Sequence, residues 1–66
     1  MFNLYDVVKL KVSRADIGVS NGDIGTIIDY VEKDNVYSVE FVDSNGETIE
    51  DSIYEYFSHD ELELVK

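Results

Sequence analysis

The sequence predicts an all-β domain: five short strands closed into a small barrel, with a long first loop and a short 3₁₀ turn before the last strand. Three observations carry that prediction. Apolar and polar residues alternate in several short runs, no segment of ten or more residues shows an apolar face at helical spacing, and turn-forming Asp, Asn and Gly residues separate the runs. The chain has 66 residues, which leaves room for one domain over 1–66 and no second core.

The first strand is expected over residues 5–12, where Val8, Leu10 and Val12 alternate with Lys9 and Lys11. Residues 13–22 read as the irregular first loop, with Gly18 and Asn21-Gly22 as turn formers and Ile17 and Val19 folded back onto the core. Ile24–Val31 is the second strand. Its phase is split, with Ile24, Ile28 and Tyr30 on one face and Ile27 and Val31 on the other, so a β-bulge is expected near Gly25 or Asp29. Glu32-Lys33-Asp34-Asn35 makes a polar hairpin turn, and Tyr37, Val39 and Phe41 define the third strand.

Asp43-Ser44-Asn45-Gly46 is a second hairpin turn, with Asn45-Gly46 suited to the two positive φ angles of a type I′ turn. Residues 47–57 then read as the fourth strand, with Ile49, Ile53 and Phe57 inward and a bend at Asp51-Ser52 to reconcile their spacing. Ser58-His59-Asp60-Glu61 fits a capping box that opens a single 3₁₀-like turn. Leu62, Leu64 and Val65 resume an extended pattern, and this last strand should lie beside the first. Five strands, one long loop, two tight hairpins and one short turn make the layout of an SH3-like barrel, which leaves few exposed edges.

Composition narrows the function. A domain this small buries only roughly 60% of the surface its unfolded chain exposes, so its stability is marginal. It has no cysteine and one histidine, which excludes disulfides and a standard zinc site. No signal-peptide pattern opens the chain and no apolar run is long enough to span a membrane, so a cytoplasmic location is expected.

The formal net charge is −10, and it is unevenly placed. In residues 1–28, Lys9, Lys11 and Arg14 balance Asp6, Asp16 and Asp23. Residues 29–66 hold twelve acids against Lys33 and Lys66, so the whole excess lies there. High acidity keeps small proteins soluble, and it disfavours direct contact with nucleic-acid phosphates.

Four blocks in order carry a resemblance: Leu4-Tyr5-Asp6-Val7-Val8-Lys9-Leu10, Gly22-Asp23-Ile24-Gly25-Thr26-Ile27, Tyr37-Ser38-Val39-Glu40-Phe41-Val42-Asp43 and Asp60-Glu61-Leu62. Together they resemble the bacterial domain-of-unknown-function family numbered 4926. The Gly-Asp-x-Gly-Thr-Ile step alone is shared more loosely with KOW modules and other SH3-like barrels. The resemblance implies an SH3-like barrel without known catalytic residues. It also suggests an antitoxin or immunity role, because family members resemble small stand-alone proteins encoded beside toxin-like genes. Tyr54-Glu55-Tyr56-Phe57 is bulkier and more acidic than the family pattern there.

No catalytic, cofactor or metal site is expected. Ser58, His59 and Asp60 are chain neighbours, whereas a catalytic triad is assembled in space from separate elements. Asp43-x-Asn45-Gly46-Glu47 lacks the ligand spacing of a calcium loop, since Tyr54 stands twelfth from Asp43. Gly18, Gly22 and Gly25 lack the Gly-Lys-Ser/Thr ending of a phosphate loop. The remaining candidate is a partner-binding surface centred on residues 47–56: Glu47, Glu50, Asp51, Tyr54, Glu55 and Tyr56, with Glu32 and Asp34 from the preceding hairpin. Tyrosines ringed by charge resemble the anchors and rim of a protein interface; alternatively, they cover the mouth of the barrel. The expected partner is a basic protein, in the leading reading a toxin and possibly a nuclease. An adaptor role in a larger complex is the alternative, and RNA or ribosome binding through Lys9, Lys11 and Arg14 is a third.

Overall fold

The structure is a computed structural model and describes residues 1–65. Its strands are β1 (Val7–Leu10), β2 (Ile24–Val31), β3 (Val36–Phe41), β4 (Tyr56–Ser58) and β5 (Leu62–Leu64), with one helical turn, α1 (Glu50–Ile53). All neighbours pair antiparallel in one sheet of order β4-β3-β2-β1-β5. The last strand lies beside the first, as the sequence pattern requires. Among the described residues no ladder joins β4 to β5, so the sheet is open, where the sequence pattern predicts a closed one.

The core follows the period-2 pattern. Val8 and Leu10 of β1, Ile27 of β2, Tyr37, Val39 and Phe41 of β3, Phe57 of β4 and Leu62 of β5 are buried together. Ile17 and Val19 join them from the first loop, which folds back through a 3₁₀ turn at Ala15–Ile17 and a bridge between Arg14 and Val19. That expected fold-back is borne out. Gly18 turns the chain there at φ +80°.

The split phase of β2 resolves as a bulge: pairing to β3 shifts between Ile27 and Asp29, leaving Ile28 as the extra residue. Gly25 has a different role. It sits buried within regular pairing, between Val8 and Phe41, and a Cβ on it would lie 2.6 Å from Val39 Cγ1, 2.8 Å from Phe41 Cδ1 and 2.9 Å from the Glu40 carbonyl oxygen. The strand needs glycine there because β3 passes too close for any side chain.

Three expectations need correction. The first strand is Val7–Leu10, shorter than 5–12, because Tyr5 takes φ +70° before it and the chain bends at Lys11 and Val12 after it. The turn at Asp43-Ser44-Asn45-Gly46 is not type I′: only Gly46 has positive φ, and the Asp43 carboxylate holds the loop by accepting N–H bonds from Asn45 (2.8 Å) and Glu47 (3.0 Å).

The third correction is the largest. Residues 47–57 do not form one strand. After a single bridge between Val42 and Thr48 the chain makes α1, and only then extends as β4. Ile49 and Ile53 are four apart, which is helical spacing, and both are half-buried. Ser52 is fully buried and donates its hydroxyl to the Ile49 carbonyl oxygen at 2.6 Å, so the turn carries no unpaired polar group inside. Glu50 and Asp51 open α1, where carboxylates suit the exposed N–H groups. The expected capping box is present: Glu61 accepts from the Ser58 N–H at 2.8 Å and starts the 3₁₀ turn His59–Glu61 before β5.

Candidate functional site

The segment from α1 to β4 borders β3 at one end of the sheet order. Phe57 points into the core, so its neighbour Tyr56 points out, 54% exposed, paired across from Ser38. Tyr54 closes α1 and is 79% exposed. Neither tyrosine is covered as a lid over the core would be. Glu47, Glu50 and Asp51 are exposed in the same stretch. Glu47, Glu50, Asp51, Tyr54, Glu55 and Tyr56 follow one another from the loop after β3 through α1 into β4. Glu32 and Asp34 lie in the turn before Val36, which pairs with Ser58 of β4, whereas Glu47 follows the other end of β3.

Glu55 is not a free carboxylate. Arg14, from the first loop, donates Nη2–H to Glu55 Oε1 at 3.0 Å and Nη1–H to the Tyr56 carbonyl oxygen at 2.9 Å. Its guanidinium also lies 4.8 Å from the centre of the Phe57 ring. Among the described residues this is the only ion pair. One arginine therefore ties the first loop to the edge of β4, across the side where the hydrogen-bonded sheet is open. Sequence spacing gave no sign of it, since the partners lie 41 and 42 residues apart. It also takes Arg14 out of any basic cluster with Lys9 and Lys11.

His59 stacks on Phe2, with ring centroids 4.6 Å apart, and the Phe2 N–H donates to the Tyr37 hydroxyl. The histidine is thus part of how the N-terminal segment packs on β3. No cavity opens among the described residues, and no three His, Cys, Asp or Glu side chains converge in a metal-holding group among them. No helix of the described residues is long and apolar enough to cross a membrane.

Fold and surface define a small all-β domain with an acidic, tyrosine-bearing edge. The chain belongs to the family described as Domain of unknown function (DUF4926), which matches residues 4–52. That match holds β1 to β3 and most of α1, and it stops short of Tyr54, Glu55 and Tyr56. The block Asp60-Glu61-Leu62 also lies beyond it. No curated protein and no solved structure matches the chain.

Proposed function

We propose that this chain is an acidic SH3-like binding module of the cytoplasm that acts as an antitoxin or immunity protein, neutralising a basic toxin by direct contact. The SH3-like reading is supported by the strand order, with the last strand beside the first, and by the first loop that Arg14 holds against β4. The observation that carries the binding role is the pair of exposed tyrosines, Tyr54 and Tyr56, on the segment that also bears the exposed Glu47, Glu50 and Asp51.

Tyrosine offers a large contact area with little conformational entropy to lose, and carboxylates around it select a cationic partner. A net charge of −10 steers such a partner inward, raising association by roughly 10- to 1000-fold at low salt. Carboxylates set along the edge suit the cationic cleft of a nuclease, where they take the place of substrate phosphates.

The test is co-expression with basic, growth-inhibiting products of neighbouring reading frames. The chain is expected to relieve the inhibition, and a Glu47→Lys, Glu50→Lys, Asp51→Lys triple variant, folded by circular dichroism, is expected to lose that effect. Glu55 is left unchanged because reversing it would place a lysine against Arg14. Absence of such a neighbour, with no rescue, refutes the toxin reading.

A further inference from the structure

The chain holds two Asn-Gly steps, Asn21-Gly22 and Asn45-Gly46, and the fold secures them differently. Such a step carries a reaction of its own. The glycine nitrogen attacks the carboxamide carbon of the asparagine before it, and the lack of a Cβ on glycine leaves that approach open. The carboxamide must swing onto the nitrogen, so a hydrogen bond that holds either group has to open first. Around Asn21 those bonds reach the core. Asn21 Nδ2 donates to the Lys11 carbonyl oxygen at 2.8 Å, and the Asn21 N–H donates to Ser13 Oγ at 2.9 Å. The Gly22 N–H donates to the Leu10 carbonyl oxygen at 2.7 Å, and the Leu10 N–H donates to the Asp23 carbonyl oxygen at 2.9 Å. Leu10 is fully buried at the end of β1, so freeing the Gly22 nitrogen means opening the end of the β1–β2 pairing. Around Asn45 the bonds stay within an exposed loop. Residues 43–48 are all exposed. The Gly46 N–H donates to the Asp43 carbonyl oxygen at 3.0 Å, the Asn45 N–H to the Asp43 carboxylate, and the Asp43 N–H to the Glu47 carbonyl oxygen. A fluctuation confined to this loop breaks them without moving a core residue.

We propose that Asn45 is a site of self-modification in the native chain, converting to aspartate and isoaspartate, while the fold protects Asn21. The Gly46 nitrogen gives its proton to solvent base and bonds to Asn45 Cγ. The Cγ–Nδ2 bond breaks, ammonia leaves, and a five-membered cyclic imide remains. Water then opens the ring. Attack at Cγ restores the original main chain with an aspartate side chain. Attack at the main-chain carbonyl carbon routes the backbone through Cγ, with one more methylene in it. The net change consumes one water and releases one ammonia, with no oxidant or reductant. Either product places a new carboxylate between Asp43 and Glu47 in the sequence, one unit beyond the formal charge of −10. On the toxin reading, and only there, this charge joins the acidic edge at Glu47; the conversion itself needs no partner.

The test is to age the full chain in heavy-oxygen water at about pH 8.5 and about 37 °C, native and in urea, and to map it by mass spectrometry after tryptic cleavage. Cleavage after Arg14 and Lys33 leaves Asn21 as the one asparagine of residues 15–33 and puts Asn35 and Asn45 together in 34–66, where fragment ions separate them. Asn35 serves as an internal reference: β-branched Val36 follows it, and its Oδ1 accepts from the Tyr30 hydroxyl at 2.8 Å. In the native chain Asn45 is expected to convert about tenfold or more faster than Asn21, with heavy oxygen in the product. In urea only the shared Asn-Gly chemistry remains, and the two rates are expected to agree within about threefold. Equal native rates, a faster Asn21, or an Asn45 that reacts in urea but not in the native chain would each overturn the inference. A tenfold gap that persists in urea overturns the protection of Asn21 by the fold. No toxin enters the measurement, so this proposal and the toxin reading fail separately.

Discussion

Arg14 shows how one side chain completes what the backbone leaves open. Its guanidinium serves a carboxylate, a backbone carbonyl oxygen and an aromatic face at once. The half-exposed ion pair alone is worth under about 1 kcal/mol. The bond to the Tyr56 carbonyl oxygen and the packing on Phe57 add to it, so Arg14→Met is expected to cost about 1–2 kcal/mol in urea unfolding. Arg14→Lys should recover only part, since an ammonium has no planar fork to meet all three; full recovery would show that charge alone matters. Gly25 makes the opposite point, by what it lacks. Gly25→Ala forces a methyl against Val39, Phe41 and the Glu40 carbonyl oxygen, and a loss of about 1–3 kcal/mol is expected. Ile28→Ala, in the exposed bulge, should cost under about 1 kcal/mol in the same measurement.

Among the elements, those with uninterrupted alternation were legible from the sequence. Val8 and Leu10 in β1 and Tyr37, Val39 and Phe41 in β3 placed themselves, and the doubled phase of β2 marked its bulge. The stretch from 47 to 57 was misread as a strand because α1 is a single turn, too short for helical periodicity to register against a β pattern. Its trace was the four-residue step from Ile49 to Ile53, taken as a bend. Within the candidate site, the outward phase of Tyr56 opposite Phe57 was legible, whereas Tyr54 is exposed because it closes α1 and not by strand phase. The contact from Arg14 was not legible, because a link over 41 residues has no local signature. The capping box at Ser58 was legible because its two bonds are local. Ser58→Ala removes the hydroxyl that accepts from the Glu61 N–H, and a drop of about 0.5–2 kcal/mol in thermal or urea unfolding is expected. An unchanged midpoint would mean that β5 pairing alone fixes the turn.

At the scale of the molecule, charge dominates. Fifteen acids against five bases on a 66-residue chain oppose the compact state, so the melting temperature should rise from about 0.01 to 0.5 M NaCl. A falling value would mean that the Arg14–Glu55 pair outweighs the summed repulsion. The same charge gives the β4 edge its proposed partner. The most direct test of that claim is titration calorimetry of the chain against the basic product of a neighbouring toxin-like reading frame. The wild-type chain and the Glu47→Lys, Glu50→Lys, Asp51→Lys variant are compared at low and moderate salt. The account predicts wild-type binding that weakens as salt rises, and a loss of about 100-fold or more in the variant. Equal affinity for both chains, indifferent to salt, would contradict it.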